Sequence, residues 1–164
     1  MSIKNFYPQF PEISYKRTKI DMTTVVLFAR SIVGKYPKEV VRMAYAIFRN
    51  ESGNGSLGVN GNFAGIQADN DIWTGLDLKN VVGTCIKTDG NNETRRFLCF
   101  NDNGYQTSFD FLCFKIQQRN MYAEVTTPGN LDEETFIPIA TNLYHLYQQK
   151  WVSNPSEDTA DAFG

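Results

Sequence analysis

The 164-residue sequence has few residues that bind metals or form disulfides: a single histidine, His145, and three cysteines, Cys85, Cys99 and Cys113. A zinc site takes about four ligands at close spacing, and no two of these cysteines form a Cys-x-x-Cys pair. We therefore expect no bound metal and no cofactor. An odd number of cysteines without a secretion signal favours free, mostly buried thiols.

The sequence also lacks a long apolar run and an excess of one charge. A membrane-spanning helix needs about 18 apolar residues, and the longest run covers only residues 25–29. The 16 Lys and Arg residues against 18 Asp and Glu residues leave a net charge of −2, which excludes the basic footprint of a nucleic-acid-binding protein. Residues 1–10 have no basic region followed by an apolar core, so we expect a protein made in the cytoplasm without a signal peptide.

What the sequence does contain is typical of one folded domain between two less regular ends. Apolar residues make up 41% and charged residues 21%, which is the composition of a globular chain. Residues 1–20 are predicted as an extended N-terminal arm, because two prolines, Pro8 and Pro11, prevent a helix there. Residues 21–152 then form the domain. Residues 153–164 are acidic with little to bury, which predicts a disordered tail.

The periodicity of the domain predicts helices arranged around one small β-hairpin. The helical segments are 21–32, 37–50, 108–122 and 132–152. In the second of these, apolar residues recur on one face, which indicates a buried helix. Segments 81–87 and 94–100 read as two strands joined by a turn cluster. Thr107, with Asp110 three residues later, resembles a capping box at the start of the third helix. The fold class is therefore α+β and mostly helical.

A carboxylate at the end of the second helix is the first candidate for chemistry. Glu51 lies where this helix meets a loop rich in Gly and Asn, residues 54–62. The negative end of a helix dipole and partial burial both favour a carboxyl group that keeps its proton near neutrality. Such a group can act as a general acid. A solvated Glu at a frayed helix end is the alternative reading of this position.

The residues after Glu51 carry a resemblance to a known family. Residues 51–53 read Glu-Ser-Gly, and residues 62–67 read Asn-Phe-Ala-Gly-Ile-Gln. This order resembles the lysozyme-like superfamily of peptidoglycan hydrolases, in which a helix ends in Glu-Ser and a loop leads to an aromatic-Gly-aliphatic stretch ending in Gln. The glucosaminidase branch has a similar Glu-Ser-Gly and Asn-x-x-Gly-Ile. Goose-type lysozymes and lytic transglycosylases have a similar Gly-aliphatic-x-Gln stretch, and the goose-type pattern continues to an Asp at the position of Asp69.

The resemblance implies a lysozyme-like fold and a role for two carboxylates. Glu51 would protonate the glycosidic oxygen between amino sugars, and Asp69 would position the attacking water as the base of an inverting site. An Asp that only caps a local turn is an equally good reading of Asp69. Three other acidic residues compete for the role of the base: Asp71, Asp77 and Asp89.

The same resemblance suggests which residues would bind substrate. Asn62 and Gln67 could hydrogen-bond acetamido groups, although a role in stabilising the loop fits them equally well. Three aromatic residues could line a sugar groove or simply belong to the core: Phe63, Trp73 and Tyr105. Tyr122 lies in the stretch Asn-Met-Tyr, which is the nearest match in this sequence to the Ala-Tyr-Asn block of the family.

Two classes of function follow from this reading. The first is a muramidase or glucosaminidase that degrades the glycan strand of the bacterial cell wall, or a lytic transglycosylase that cuts the same strand. The second is a non-catalytic lysozyme-like protein that binds glycan or builds a virion. Residues 1–20 are compatible with docking to a virion or a secretion system. A phage protein that is virion-associated or released to the cell wall fits either class.

Overall fold

The computed structural model describes residues 3–88 and 92–121, and these form three helices and two small antiparallel sheets. In chain order the elements are β1 (Arg17–Thr18), α1 (Met22–Ser31), α2 (Lys38–Glu51), β2 (Gly58–Val59), β3 (Val81–Thr88), β4 (Thr94–Phe100) and α3 (Gly104–Gln118). The predicted α+β fold class is therefore confirmed. The predicted helix over 132–152, the tail, Tyr122, His145 and Asp89 lie outside the described residues.

The first two helices begin and end where the sequence predicts, within a residue. Asp21 is the N-cap of α1, and its carboxylate accepts a hydrogen bond from the backbone N–H of Thr23. Pro37 directly precedes α2, because its fixed φ suits a helix start and its missing N–H costs nothing there. The apolar face of α2 is fully buried and forms the centre of the main core: Val40, Val41, Ala44, Ile47 and Phe48.

The hairpin of β3 and β4 pairs with two further segments of the described chain. Segments on both sides extend it through single bridging pairs. Gln67 pairs antiparallel with Phe97 on β4, and Glu12 pairs parallel with Thr84 on β3. Both neighbours of Gln67 join this edge, since the N–H of Leu98 donates to Ile66 and that of Ala68 donates to Arg96. The stretch after the Gly-rich loop is thus tied to the hairpin.

The sequence predicts an extended arm at the N-terminus. In the structure this segment packs on the domain. Tyr7 is 2% exposed and belongs to a second apolar cluster. The buried guanidinium of Arg96 on β4 forms hydrogen bonds with this N-terminal segment. It donates to the carbonyl of Lys4 at 3.3 Å and to the carboxylate of Glu12 at 2.8 Å. Aromatic burial and one arginine therefore attach residues 3–12 to the hairpin.

Replacing Arg96 with methionine is expected to loosen this segment while the helices stay folded. The change keeps the apolar stem but removes the bonds that the guanidinium donates to Lys4, Glu12 and the hydroxyl of Thr84, so we expect a loss of about 2 kcal/mol in the free energy of unfolding. Hydrogen exchange at the amides of Phe6 and Ile13, which bond to Ala68 and Thr84, should become faster. The control Glu12→Gln removes an exposed partner and should cost less than about 1 kcal/mol. Unchanged exchange at both amides in Arg96→Met would refute the anchoring role.

The start of α3 differs from the sequence prediction. The helix begins at Gly104, four residues before the predicted position, and Asn103 is its N-cap. The predicted capping box at Thr107 is wrong. Thr107 lies inside the helix, and its hydroxyl accepts a hydrogen bond from the side chain of Asn80. Gly104 packs against the backbone of Gly61, where a Cβ would collide with the carbonyl oxygen. Tertiary packing therefore sets this helix start.

Within residues 3–88 and 92–121, no helix has both the length and the apolar character needed to cross a membrane.

Candidate active site

Glu51 is the last residue of α2 and its side chain is exposed. The turn after it is anchored by Ser52, which is fully buried. The Ser52 hydroxyl donates to the carbonyl of Phe48 at 2.6 Å and accepts the N–H of Gly55 at 2.9 Å. Gly55 has φ +81°, and a Cβ there would collide with the carbonyl oxygen of Ile20. The chain therefore leaves α2 through a turn of defined shape that presents Glu51 at the surface.

The prediction that Glu51 is partly buried is wrong. Ser52 takes the inward position at the end of α2 instead, because its small hydroxyl can bond to the last turn of the helix without leaving a polar group unpaired. The carboxyl group one position earlier then points toward solvent.

Asp69 is held by the hairpin. Its Oδ2 accepts the backbone N–H of Arg96 at 3.0 Å. Its Oδ1 is buried, and among the described residues it has no hydrogen-bond donor. The predicted alternatives that the structure describes serve local turns, since Asp71 accepts the N–H of Ile72 and Asp77 accepts that of Lys79. Asp69 thus braces the loop against β4 through a residue distant in the sequence, which differs from the local turn cap that the sequence offers as the alternative.

Asn62 uses its whole amide within the chain. Its Nδ2 donates to the carbonyls of Ile66 and Leu98, both at 2.9 Å. Its Oδ1 accepts the N–H of Ala64 at 3.3 Å and that of Ile66 at 3.1 Å. The residue is 2% exposed. These four bonds close the loop onto β4 and leave the amide no capacity to bind an acetamido group.

Gln67 and Trp73 are brought together at the edge of the hairpin. The indole Nε1 of Trp73 donates to the backbone carbonyl of Gln67 at 2.6 Å, and its ring meets Phe111 edge-on at 5.7 Å. The backbone N–H of Trp73 donates to the hydroxyl of Tyr7 at 2.7 Å. Burial raises the pKa of Tyr7, which keeps this hydroxyl neutral. Trp73 is therefore a packing residue that is partly buried and partly exposed to solvent.

Phe63 and Tyr105, the other two predicted sugar-binding rings, meet in a cavity of about 320 Å³. We call this cavity the cleft. It is lined by residues 16–20, Gly61, Phe63, 100–102 and Tyr105. Phe63 is 5% exposed and stacks on Phe48 of α2, so only its edge reaches the cleft, whereas Tyr105 is half-buried. The cleft lies between the N-terminal segment and the start of α3.

One wall of the cleft is bonded to the turn that carries Glu51. The N–H of Ile20 donates to the carbonyl of Gly55 at 2.8 Å, and Gly55 in turn donates to the Ser52 hydroxyl. The guanidinium Nε of Arg17 donates to the carbonyl of Ser56 at 2.9 Å. Glu51 does not line the cleft itself, but the wall and its turn form one hydrogen-bonded unit. Asp69 belongs to the hairpin edge and is not part of this unit.

The sequence prediction missed the residues that form this wall. Residues 16–20 contain three basic side chains in the order Lys-Arg-Thr-Lys-Ile, and a basic run beside a small strand is the signal that could have indicated a binding surface. Asp102, the single acidic residue in the lining of the cleft, belongs to no motif that the sequence analysis identified. Tyr122, the remaining predicted site residue, lies outside the described residues.

The three cysteines are buried free thiols. A hydrogen bond between the Cys85 and Cys99 side chains lowers the pKa of Cys85 and raises that of Cys99, and burial raises the pKa of Cys113. In the part of the chain that the structure describes, no three His, Cys, Asp or Glu side chains are grouped closely enough to hold a metal ion.

Comparisons of this chain with family models, curated proteins and solved structures found no match.

Proposed function

We propose that this protein cleaves the amino-sugar glycan strand of bacterial peptidoglycan by general acid catalysis from Glu51. The observation that carries the proposal is the position of Glu51 at the exposed end of the buried helix α2, on a turn bonded to the wall of an aromatic cleft. Protonation of a glycosidic oxygen requires a carboxyl group held on a rigid element, and the turn after Glu51 is hydrogen-bonded to the wall of the cleft. The resemblance of residues 51–53 and 62–67 to lysozyme-like hydrolases supports the same reaction.

Substrate binding would supply the burial that Glu51 lacks in the free protein. A sugar ring laid over an exposed carboxyl group removes water and disfavours the charged form. The protonated carboxyl can then donate to the glycosidic oxygen as the bond breaks, and the developing charge on the sugar carbon resembles an oxocarbenium ion. Cleavage thus depends on how the glycan seats against the α2 terminus.

The hydrogen bonding of Asp69 bears on which nucleophile attacks the sugar carbon after Glu51 has protonated the glycosidic oxygen. As the base of a hydrolase, Asp69 could keep the Arg96 N–H on Oδ2 but would have to expose its buried Oδ1 to a water molecule. This observation favours a second candidate, a lytic transglycosylase, in which the 6-hydroxyl of the muramyl sugar attacks in place of water. Both candidates use Glu51 as the acid, and they differ only in the nucleophile.

Digestion of purified peptidoglycan tests the proposal and separates the candidates. We expect the 164-residue protein to release soluble fragments whose ends are read by mass spectrometry. An ordinary reducing sugar at the cut identifies hydrolysis, whereas a 1,6-anhydro end, lighter by one water, identifies transglycosylation. A protein that sediments with peptidoglycan but releases no fragment would contradict catalysis and support the non-catalytic alternative. Docking to a virion or secretion system through residues 1–20 stays a prediction.

A further inference from the structure

We propose that Cys85 and Cys99 are a redox pair, which a small disulfide compound oxidises to a disulfide bond that links β3 to β4. The two thiols lie on the hairpin and not on the turn that carries Glu51, so this inference does not depend on glycan cleavage. The reaction partner is a low-molecular-weight disulfide of the glutathione type. The structure describes the reduced state, in which both thiols are free.

The first observation is the position of the two thiols in the hairpin. Cys85 lies opposite Phe97, and Cys99 lies opposite Gly83, so the two cysteines are diagonal neighbours on adjacent strands. Both are 0% exposed and belong to the same small apolar cluster. A hydrogen bond joins the two side chains, so their sulfur atoms lie close together. The third cysteine, Cys113, lies on α3 in the main core.

The second observation is that the two strands need only a small approach to form the bond. Diagonal neighbours in an antiparallel pair lie about 7–8 Å apart at Cα, and a disulfide takes about 4.4–6.8 Å. The ladder is irregular beside this position, because the register shifts between Val81 and Gly83. A β-bulge bends and twists its strand locally, so we expect this stretch of β3 to take up the difference.

The third observation is a difference between the two thiols. The hydrogen bond with Cys99 lowers the pKa of Cys85; burial opposes this effect, and the cations of Lys87 and Arg96 add to it. The same hydrogen bond and burial raise the pKa of Cys99. The thiolate is the form that attacks a disulfide. Cys85 is therefore the attacking thiol, and Cys99 is the thiol that closes the bond.

Oxidation proceeds by two thiol–disulfide exchanges. The Cys85 thiolate attacks one sulfur of the small disulfide, which forms a mixed disulfide on Cys85 and releases one thiolate. Cys99 then loses its proton and attacks the Cys85 sulfur, which forms the protein disulfide and releases the second thiolate. The two protons of the cysteines end on the two released thiols, and the two electrons removed from the protein reduce the small disulfide.

The N-terminal segment controls access to the pair, because it packs on β3 beside the thiols. The side chain of Ile13 packs against the cysteine cluster. Its N–H donates to the carbonyl of Thr84 at 2.8 Å, and the N–H of Thr84 donates to the carbonyl of Pro11 at 2.9 Å. A small disulfide therefore reaches the pair when this segment opens, which is a local and not a global unfolding event.

Peptide mapping of the oxidised wild-type protein is the first test. The folded 164-residue protein is incubated with oxidised glutathione, alkylated under denaturing conditions and digested with trypsin and chymotrypsin. Both enzymes are needed, because trypsin alone leaves Cys99 and Cys113 on one peptide, 97–115. We expect a disulfide between Cys85 and Cys99, lighter by about 2 Da than the two thiols, with Cys113 alkylated. No crosslink, or a crosslink that includes Cys113, would overturn the proposal.

Single cysteine variants test the order of attack. In Cys99→Ser we expect glutathione to stay on Cys85 as a mixed disulfide, whereas in Cys85→Ser we expect Cys99 to stay unmodified over the same time. Cys113→Ser is the control and should form the crosslink at the wild-type rate. Circular dichroism checks that each variant is folded. Glutathione on Cys99 in place of Cys85 would contradict the assigned roles.

Ile13→Ala tests the control of access. Loss of the side chain that packs against the cluster should speed crosslinking by about three- to tenfold, because the segment opens more often. Ile72→Ala makes the same chemical change at a residue that is 66% exposed and should leave the rate unaltered. Crosslinking at the wild-type rate in Ile13→Ala, or equal acceleration in both variants, would show that the N-terminal segment does not control access to the pair.

Discussion

Replacing Glu51 with glutamine is expected to lower the rate of peptidoglycan cleavage by roughly 10²- to 10⁴-fold, the usual contribution of a general acid. Glutamine keeps the shape of the side chain but has no proton to transfer to the glycosidic oxygen. The Glu51 side chain is exposed and the turn is anchored by Ser52, so the fold should not change. Release of soluble fragments at several protein concentrations gives the rate, and thermal unfolding checks the fold.

A second glutamate on the same helix provides the matched control. Glu39 lies in the first turn of α2, about 18 Å from Glu51 along the helix axis. Glu39→Gln makes the same chemical change away from the cleft and should leave the rate unaltered. A Glu51→Gln protein that releases fragments as fast as the wild type would remove Glu51 from the mechanism. Equal losses in the two variants would point to a general effect of charge on binding to the cell wall.

Replacing Asn62 with alanine is expected to lower the free energy of unfolding by about 2–4 kcal/mol. The change leaves the buried N–H of Ile66 without the acceptor that it has in the native loop. The carbonyl of Leu98 loses its Asn62 donor, whereas that of Ile66 keeps the N–H of Leu98. Denaturant unfolding followed by circular dichroism measures the loss.

Asn103→Ala is the control for this change. Asn103 is exposed, and its side chain makes no capping bond to α3, so we expect an effect below about 0.5 kcal/mol. The pair also distinguishes the two readings of Asn62 that the sequence leaves open. If Asn62 only braces the loop, Asn62→Ala lowers the free energy of unfolding and leaves the KM for glycan fragments unchanged. A raised KM with full stability in Asn62→Ala would restore the substrate-binding role and contradict the network described above.

The elements predicted correctly from the sequence are those whose pattern is local. The buried stripe of α2 repeats with the period of a helix, and β4 was predicted at its observed residues, 94–100, because a turn cluster bounds it. The start of α3 was misplaced because a plausible cap at Thr107 is overridden by packing at Gly104. That contact joins residues far apart in the sequence, so no window of neighbouring residues contains it.

For the candidate site, the sequence by itself determined that Glu51 ends a buried helix, since the apolar period stops there and Ser-Gly follows. The tertiary structure alone decided how the neighbouring polar residues are used. Asn62 and Asp69 have side chains suited to binding a ligand, but the adjacent strand β4 takes up their hydrogen bonds. The cleft likewise exists only because residues 16–20 return to the start of α3. The basic run in residues 16–20 can be read from the sequence, but which distant segment it meets cannot.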